Sequence, residues 1–359
     1  MKIGIDLMIL NSYNIYAEYT IELLHRLLKK DPENEYHIYL DVYYREQVFE
    51  GENVRYHIIE EPSRSFKGML EFNREIRKEN LDLMIFFDFR NVFCYKKDAI
   101  VFIPTLKDIN FPDTNNFFKK TYINHLLGRN IKKAKKIVTF DTYTQNELNE
   151  KFNIPDEKFV CIEGFFPMKH YEQDTSLKLN IKAKHNLPGE YIIYSGGNGN
   201  NKNLNTLVEA ISKFKRRGDK LSLLILDTQV SNNLEFRKQV VDNDIQDRVI
   251  FTSDIKETER PYYYAQALGS VFPSLYESFP FRLRESIQLK SRIFASNFEN
   301  VQEVLGDHAL YFNPLSSNEL IRLIDANMEV PKPVNYDDIH KKYTPVKSAE
   351  TLINIIKSL

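Results

Sequence analysis

The sequence predicts an α/β protein built from two doubly wound domains facing each other across a cleft. Three observations predict it. Short apolar runs rich in β-branched residues alternate with stretches of helical periodicity, the pattern of parallel strands with helices on both faces. The alternation restarts near the middle of the chain. A length of 359 residues is enough for two separate cores.

In the first half, Lys2 to Ile9 reads as a strand. Ala17 to Lys30 reads as an amphipathic helix, with Tyr19, Leu23, Leu24, Leu27 and Leu28 on one face. His37 to Val42 reads as a strand and Phe66 to Glu79 as a helix. Leu83 to Phe87, Ala99 to Ile103 and Ile137 to Phe140 are short continuous apolar runs, as buried parallel strands should be. Thr142 to Phe152 reads as a helix capped by Thr142 or Thr144.

In the second half, strands are expected at Tyr191 to Tyr194, Leu221 to Leu226, Val249 to Thr252, Ser270 to Pro273 and Ile293 to Ala295. Helices are expected between them at Leu204 to Arg217, Leu234 to Asp242, Pro261 to Gln266 and Arg284 to Lys290. Residues 1–165 then form the first domain, 166–187 a polar linker without clean periodicity, and 188–345 the second domain. Residues 346–359 form a terminal helix with Leu352, Ile355, Ile356 and Leu359 on one face.

Composition narrows the function. Hydrophobic residues at 42% and charged ones at 28% exclude a disordered or fibrous chain. Lys+Arg 49 against Asp+Glu 50 leaves a net charge of −1, so no global field for nucleic acid exists and no nucleic-acid partner is expected. Cys94 and Cys161 share no ligand spacing, which argues against a disulfide framework and suits a reducing compartment. Asp6 interrupts the first apolar run too early for a signal peptide, and no run approaches the roughly 18 apolar residues of a membrane span. A cytoplasmic-type chain is expected, in solution or peripheral on a membrane's inner face. The eight histidines are not expected to cluster, and none pairs at metal spacing, so each reads as a surface or satisfied structural residue.

Two segments carry chemistry. Ser195-Gly196-Gly197-Asn198-Gly199-Asn200-Asn201-Lys202-Asn203 follows a strand and opens a helix. Glycine and asparagine let the backbone turn sharply and present its N–H groups, and Lys202 adds a full positive charge. Together with a helix N-terminus these suit a diphosphate, and they equally suit a plain strand–helix turn with a surface lysine. The second segment runs from Phe272 through Pro273-Ser274-Leu275-Tyr276-Glu277-Ser278-Phe279-Pro280-Phe281-Arg282-Leu283-Arg284 to Glu285. Glu277 follows a strand, where open α/β sheets bind ligands. Glu285 falls in the first turn of the next helix. Carboxylates there can accept hydrogen bonds from sugar or ribose hydroxyls, or can be a loop acid and a helix-starting acid favoured by the dipole.

Phe272 to Glu285 resembles the signature of the family-4 retaining glycosyltransferases (glycosyl transferases group 1), whose fold is the two-domain, Rossmann-like GT-B. The glycine turn with Lys202-Asn203 resembles their diphosphate-binding turn. Ala295-Ser296-Asn297, Glu303-Val304, Gly306-Asp307 and Leu310 to Pro314 continue the likeness, and Tyr19 to Leu24 and Lys132 to Thr142 extend it loosely into the first half. The resemblance implies a UDP- or GDP-sugar donor in the second domain and a glycan or lipid-linked acceptor in the first, in bacterial surface polysaccharide or glycoconjugate assembly. Lys202 would neutralise the diphosphate and Glu277 would hold the transferred sugar, the two catalytic candidates. Gly197, Asn198, Gly199, Ser278, Phe279, Pro280, Phe281, Arg282 and Glu285 would complete the donor site, with Glu285 on the ribose. Tyr16, Lys107 and Asp108 would lie on the acceptor side. The resemblance implies no metal, since lysine, helix dipole and N–H groups would replace it, no cofactor, since the nucleotide-sugar is a substrate, and a terminal helix that crosses back to the first domain.

Several positions depart from that family. Glu18 stands where a base is usual and Lys107 where a histidine is usual. Pro280 stands where glycine is common and has no N–H to offer. Arg282 and Arg284 replace apolar residues, and Arg282 is a candidate second positive charge. These departures also fit a catalytically silent relative that binds a nucleotide-sugar or serves as scaffold to a partner enzyme. Finally, Phe117 to Lys136 places Arg129, Lys132, Lys133 and Lys136 on one helical face, opposite Ile123, Leu127, Ile131 and Ala134. That face could meet anionic lipid or simply be solvated.

Overall fold

Two parallel sheets organise the protein, seen in a computed structural model. It describes residues 1–8, 15–44, 49–62, 65–111, 117–169, 171, 179–252, 255–329 and 333–359, apart from the side chains of residues 66, 93, 94, 108 and 117–120. The chain divides into two compact units, residues 1–167 with 342–359, and residues 168–341.

The first unit carries β1 (Lys2–Asp6), β2 (Glu35–Asp41), β3 (Val54–Ile59), β4 (Leu83–Phe86), β5 (Asp98–Phe102), β6 (Lys136–Thr139) and β7 (Phe159–Cys161). They lie in the order β3-β2-β1-β4-β5-β6-β7, all parallel. The expected strands fall here within a few residues. β3 and β7 were not expected. β3 is an edge strand with a mixed burial pattern, so its sequence lacks the continuous apolar run that marks its neighbours.

The second unit carries β8 (Tyr191–Tyr194), β9 (Ser222–Ile225), β10 (Val249–Phe251), β11 (Ser270–Phe272), β12 (Ile293–Ser296) and β13 (Ala309–Phe312), in the parallel order β10-β9-β8-β11-β12-β13. The period-2 alternation of β8 fills both faces. Ile192 and Tyr194 join a core with Leu207, Ile211 and Phe214 of the helix Leu204–Arg216. Tyr191 and Ile193 pack with Tyr263 and Tyr264 of the helix Arg260–Gln266. β13 and the helices Glu299–Leu305 and Ser317–Asp325 add to what the pattern predicted.

Each sheet has a point where the strand order reverses, between β1 and β4 in the first and between β8 and β11 in the second. Ligands of open α/β sheets bind outside the carboxyl ends of such strand pairs.

Several local expectations change. The helix Thr142–Phe152 is capped by Asp141, whose Oδ1 accepts from Thr144 N at 2.6 Å, rather than by a threonine. Residues 179–187, expected within the linker, include a helical turn Ile181–Lys184 seated in the second unit by Ile181 N donating to Gln266 Oε1 (3.0 Å). The terminal helix Pro345–Lys357 belongs to the first unit. It pairs Glu350 with Lys30 of the helix Ile15–Lys30, and Ser348 Oγ donates to Glu163 O at 2.9 Å.

The helix Phe117–Lys133 ends before Lys136, which opens β6 and donates its Nζ to Glu157 O (2.8 Å). The expected basic face of four therefore reduces to Arg129, Lys132 and Lys133, all exposed, while Leu127 and Ile131 are buried. Among the described residues no helix is long and apolar enough to cross a membrane. The expectation that histidines do not cluster is also corrected. The parallel pairing of β2 with β3 brings His37 and His57 together, 20 residues apart in sequence.

Candidate functional site

The strand pair β8 and β11 positions both chemical segments at the switch point of the second unit. After β8 the chain turns back on itself at Ser195 to Asn203. A Cβ on Gly196 would sit 2.6 Å from the hydroxyl of Tyr194, so only glycine fits there. That hydroxyl donates to Gly197 O at 2.6 Å, and burial pushes it well above the ordinary tyrosine range, which keeps it a donor. Gly197 itself has φ +86°, a conformation that L side chains rarely adopt. Asn203 is left-handed at φ 53°, which asparagine tolerates. Its Nδ2 donates to Pro273 O (3.0 Å) and Pro314 O (2.6 Å), tying the helix entry to the segment after β11. The helix Leu204–Arg216 then starts directly behind Lys202.

Lys202 forms an ion pair with Glu277 Oε1, both side chains being largely buried at 11% and 18% exposure. Ser274 Oγ donates to the same carboxylate oxygen at 2.8 Å. Two asparagines hold the backbone around Glu277. Asn201 Nδ2 donates to Tyr276 O (2.7 Å), and Asn300 Nδ2 donates to Glu277 O (3.0 Å). Leu275 N donates to Asn201 O (2.8 Å), so the two segments are stitched directly to each other. The lysine is therefore not a loose surface charge. It is fixed against a carboxylate by a frame of neutral hydrogen bonds.

Arg282 is the second cation here. Its Nη1 lies 3.3 Å from Asp227 Oδ2, its side chain is 38% exposed, and its Nη2 is 3.7 Å from where a Cβ on Gly197 would be. The guanidinium thus lies against the glycine turn. Asn198 Nδ2 donates to Gln229 O at 3.3 Å, and Gly199 O accepts from Lys202 N at 2.8 Å. Phe279 is buried, edge-on to Phe281 with ring centroids 4.8 Å apart, and Ser278 is buried beside it. Pro280 precedes the short turn Phe281–Leu283 and its carbonyl accepts from Leu283 N (3.0 Å). A small recess opens between Ser274, Glu277, Arg282 and Ser296 on its polar side and Phe272, Pro280, Leu283 and Val301 on its apolar side. Ser296 Oγ is buried and has no hydrogen-bond partner.

Glu285 has an environment that sequence spacing does not show. Arg260 Nη1 donates to both of its oxygens (3.0 and 2.9 Å), Tyr264 OH to Oε2 (2.7 Å) and Tyr171 OH to Oε1 (3.1 Å). Burial opposes the charge on Arg260, yet Glu285 outweighs it and the guanidinium's pKa is raised. Burial, reinforced by Glu285, likewise holds the Tyr264 hydroxyl well above its usual range. Tyr264 OH also lies 3.2 Å from Ser195 Oγ, which links Glu285 to the start of the glycine turn. Arg260, Tyr264 and Tyr171 come from 25, 21 and 114 residues away, and no local motif announces them.

The acceptor-side candidates sit in the first unit. Tyr16 donates its hydroxyl to Phe87 O at 3.1 Å, and its ring stacks on Tyr19. Lys107 heads the short helix Lys107–Asn110, its N–H donating to Thr105 Oγ1 (3.0 Å). The Asp108 side chain lies outside the described residues. A group not singled out from sequence is Asp6, at the end of β1. It is 1% exposed, accepts from Met8 N and Asn91 Nδ2 (both 2.9 Å), and burial raises its pKa to about 7.

Comparison with known proteins gives the arrangement a context. Residues 177–342 match the family model "Glycosyl transferases group 1". The chain is 23% identical over 218 residues to the O-antigen chain mannosyltransferase RfbU of Salmonella typhimurium, a match over 61% of this chain and 57% of that protein. It thus spans a little over half the length of that relative. Among solved structures, sucrose-phosphate synthase from Thermosynechococcus elongatus superposes with a TM-score of 0.75 at 15% identity, over 100% of this chain and 98% of that one. Anabaena HepE, solved in complex with UDP and glucose, gives 0.72 at 13% identity over 100% of both chains. At such identities the structural matches establish the fold. With the motif geometry and the family match taken together, residues 177–342 are of the glycosyl transferases group 1 type, and the chain has the GT-B fold.

Proposed function

We propose that this chain transfers a hexosyl group from a UDP- or GDP-sugar to a glycan or lipid-linked acceptor, with retention of anomeric configuration, in surface polysaccharide assembly. The observation that carries the reading is the fixed Lys202–Glu277 pair at the β8/β11 switch point, with the glycine turn on one side and the recess on the other.

In such a transfer the bond between the sugar's anomeric carbon and the diphosphate breaks, and negative charge grows on the departing phosphate. A preorganised cation, a helix N-terminus and backbone N–H groups stabilise that charge without having to reorganise. Lys202 supplies the cation, and Arg282, lying against Gly197, supplies a second. Glu277 holds Lys202 in place before the donor arrives and accepts sugar hydroxyls once it has. Ser296 Oγ, buried without a partner in the recess, is a further group for a sugar hydroxyl. Glu285 would hold the ribose. Its oxygens already accept four hydrogen bonds, so a ribose hydroxyl displaces one donor, and Tyr171 makes the longest hydroxyl contact, at 3.1 Å. The relatedness to an O-antigen chain mannosyltransferase supports the setting.

Calorimetric titration of the full chain with UDP and with GDP tests the donor site. One nucleotide should bind in the micromolar range, and Lys202→Ala should weaken it at least ~10-fold, as expected on losing a charge-assisted contact to phosphate. Binding of neither nucleotide, or equal binding by the variant, contradicts the reading.

A further inference from the structure

The first unit holds a cluster of metal-ligating side chains, while Lys202 and Glu277 lie in the second unit. We propose that His37, His57 and Glu79 form a binding site for a divalent transition-metal ion of the zinc class. In the parallel register of β2 and β3, Tyr39 faces His57, and His37 lies two residues back on the same face of the sheet. Glu79 is the residue that ends the helix Phe66–Lys78. One donor atom from each of the three lies within 4.8 Å of the others. His37 Nδ1 is 2.9 Å from His57 Nε2 and 3.8 Å from Glu79 Oε2.

Two imidazole nitrogens and one carboxylate oxygen make a nitrogen–oxygen set suited to zinc, with a fourth position open. Metal–ligand bonds of about 2.0–2.1 Å place tetrahedral ligands roughly 3.4 Å apart. The separations of 2.9 and 3.8 Å bracket that value and the third lies within 4.8 Å, so side-chain adjustments of about an ångström would complete the geometry.

A hydrogen-bonded histidine pair accounts for only one nitrogen of His37. The other, Nε2, is buried without a hydrogen-bond partner, 3.4 Å from Glu35 Oε1. A metal on Nδ1 would make Nε2–H a stronger donor, and Glu35 lies near enough for a small rotation to give the carboxylate–histidine–metal relay that orients metal-bound imidazoles. The ring of Tyr39 stacks on His57 at 4.6 Å and fixes its plane. The ion would clip β2, β3 and the end of the helix Phe66–Lys78 together.

The test is titration of the EDTA-stripped full chain with Zn²⁺ by calorimetry, with visible absorption of the Co²⁺-loaded protein as a second readout. One Zn²⁺ should bind per chain. His57→Gln and Glu79→Gln should each weaken it at least ~10-fold, and Glu35→Gln by about 10-fold through the relay. His125→Gln, an exposed histidine elsewhere in the first unit, should leave it unchanged. Co²⁺ should give the intense bands of a four-coordinate ion. Failure to bind one equivalent, equal affinity in His57→Gln, or only weak six-coordinate Co²⁺ bands overturns the proposal. Should His57→Gln fail to fold in EDTA, the wild-type Co²⁺ spectrum and Glu79→Gln decide it.

Discussion

The first strand of each sheet sits at the same place in its strand order, beside the reversal, yet β1 and β8 end in opposite chemistry. β8 leads into a glycine turn, a buried lysine and a helix start. β1 ends on a buried carboxyl group, Asp6, whose partners are Met8 N and Asn91 Nδ2. On the proposed reading the same architecture holds a diphosphate at the β8 switch point, whereas among the described residues β1 ends on an acid. What differs is a handful of residues: backbone N–H groups and a cation at one, a desolvated acid at the other. The lesson is that the doubly wound sheet supplies the place, while the residues just beyond the strand decide the ligand's charge.

The comparison can be broken first at Glu277. Glu277→Gln removes the charge that fixes Lys202 and a hydrogen-bond acceptor for the sugar. Turnover should fall by ~10²-fold, the scale seen when one preorganised transition-state contact is lost. Affinity for the free nucleotide should hold or rise, since Lys202 no longer has a competing partner. A parallel loss of nucleotide affinity would mean that Glu277 acts only as scaffold.

Arg282 sharpens the contrast at a smaller scale. Arg282→Ala should weaken a nucleoside diphosphate about 10-fold and leave the nucleoside alone unaffected, because the side chain lies against the glycine turn. Unchanged diphosphate affinity would remove Arg282 from the site and leave its contact with Asp227 as a structural ion pair.

Asp6 gives the first unit's counterpart. Its pKa is about 7 in the folded chain against 3.8 ordinarily, so the folded state favours the protonated form. The stabilisation is complete below the unfolded value and is lost as pH rises through about 7, at most about 4 kcal/mol for such a shift. Asp6→Asn keeps an acceptor for Met8 N–H and cannot ionise. Urea midpoints should then vary less between about pH 4 and pH 8 in the variant than in the wild type. Equal slopes would show that Asp6 is better solvated than its burial indicates.

The second unit is readable in sequence because its site is nearly contiguous. Phe272 to Glu285 and Ser195 to Asn203 carry most of the polar groups, each directly after a short apolar strand. What sequence does not show is what crosses between distant segments. Asn300 on the Glu277 carbonyl, and Arg260 and Tyr264 on Glu285, depend on side chains from other helices meeting at one sheet edge. In the first unit almost everything of interest is of this kind. Asp6 meets Asn91 from 85 residues away, and His37 meets His57 only through the register of an edge strand whose mixed burial hides it. The reduction of the basic face follows from a boundary: the helix ends at Lys133, where Lys158 Nζ donates to the carbonyls of Lys132 (2.7 Å) and Ala134 (3.0 Å), and Lys136 becomes part of a strand.

The central claim is that the Lys202–Glu277 site performs sugar transfer, and donor turnover tests it most directly. The full chain and its Lys202→Ala variant are each incubated with UDP- and GDP-hexoses, and released nucleoside diphosphate is measured. The account predicts release from one donor class by the wild type, reduced ~10²-fold or more by the substitution. Nucleotide binding without release from any donor, or release that Lys202→Ala leaves unchanged, would contradict it.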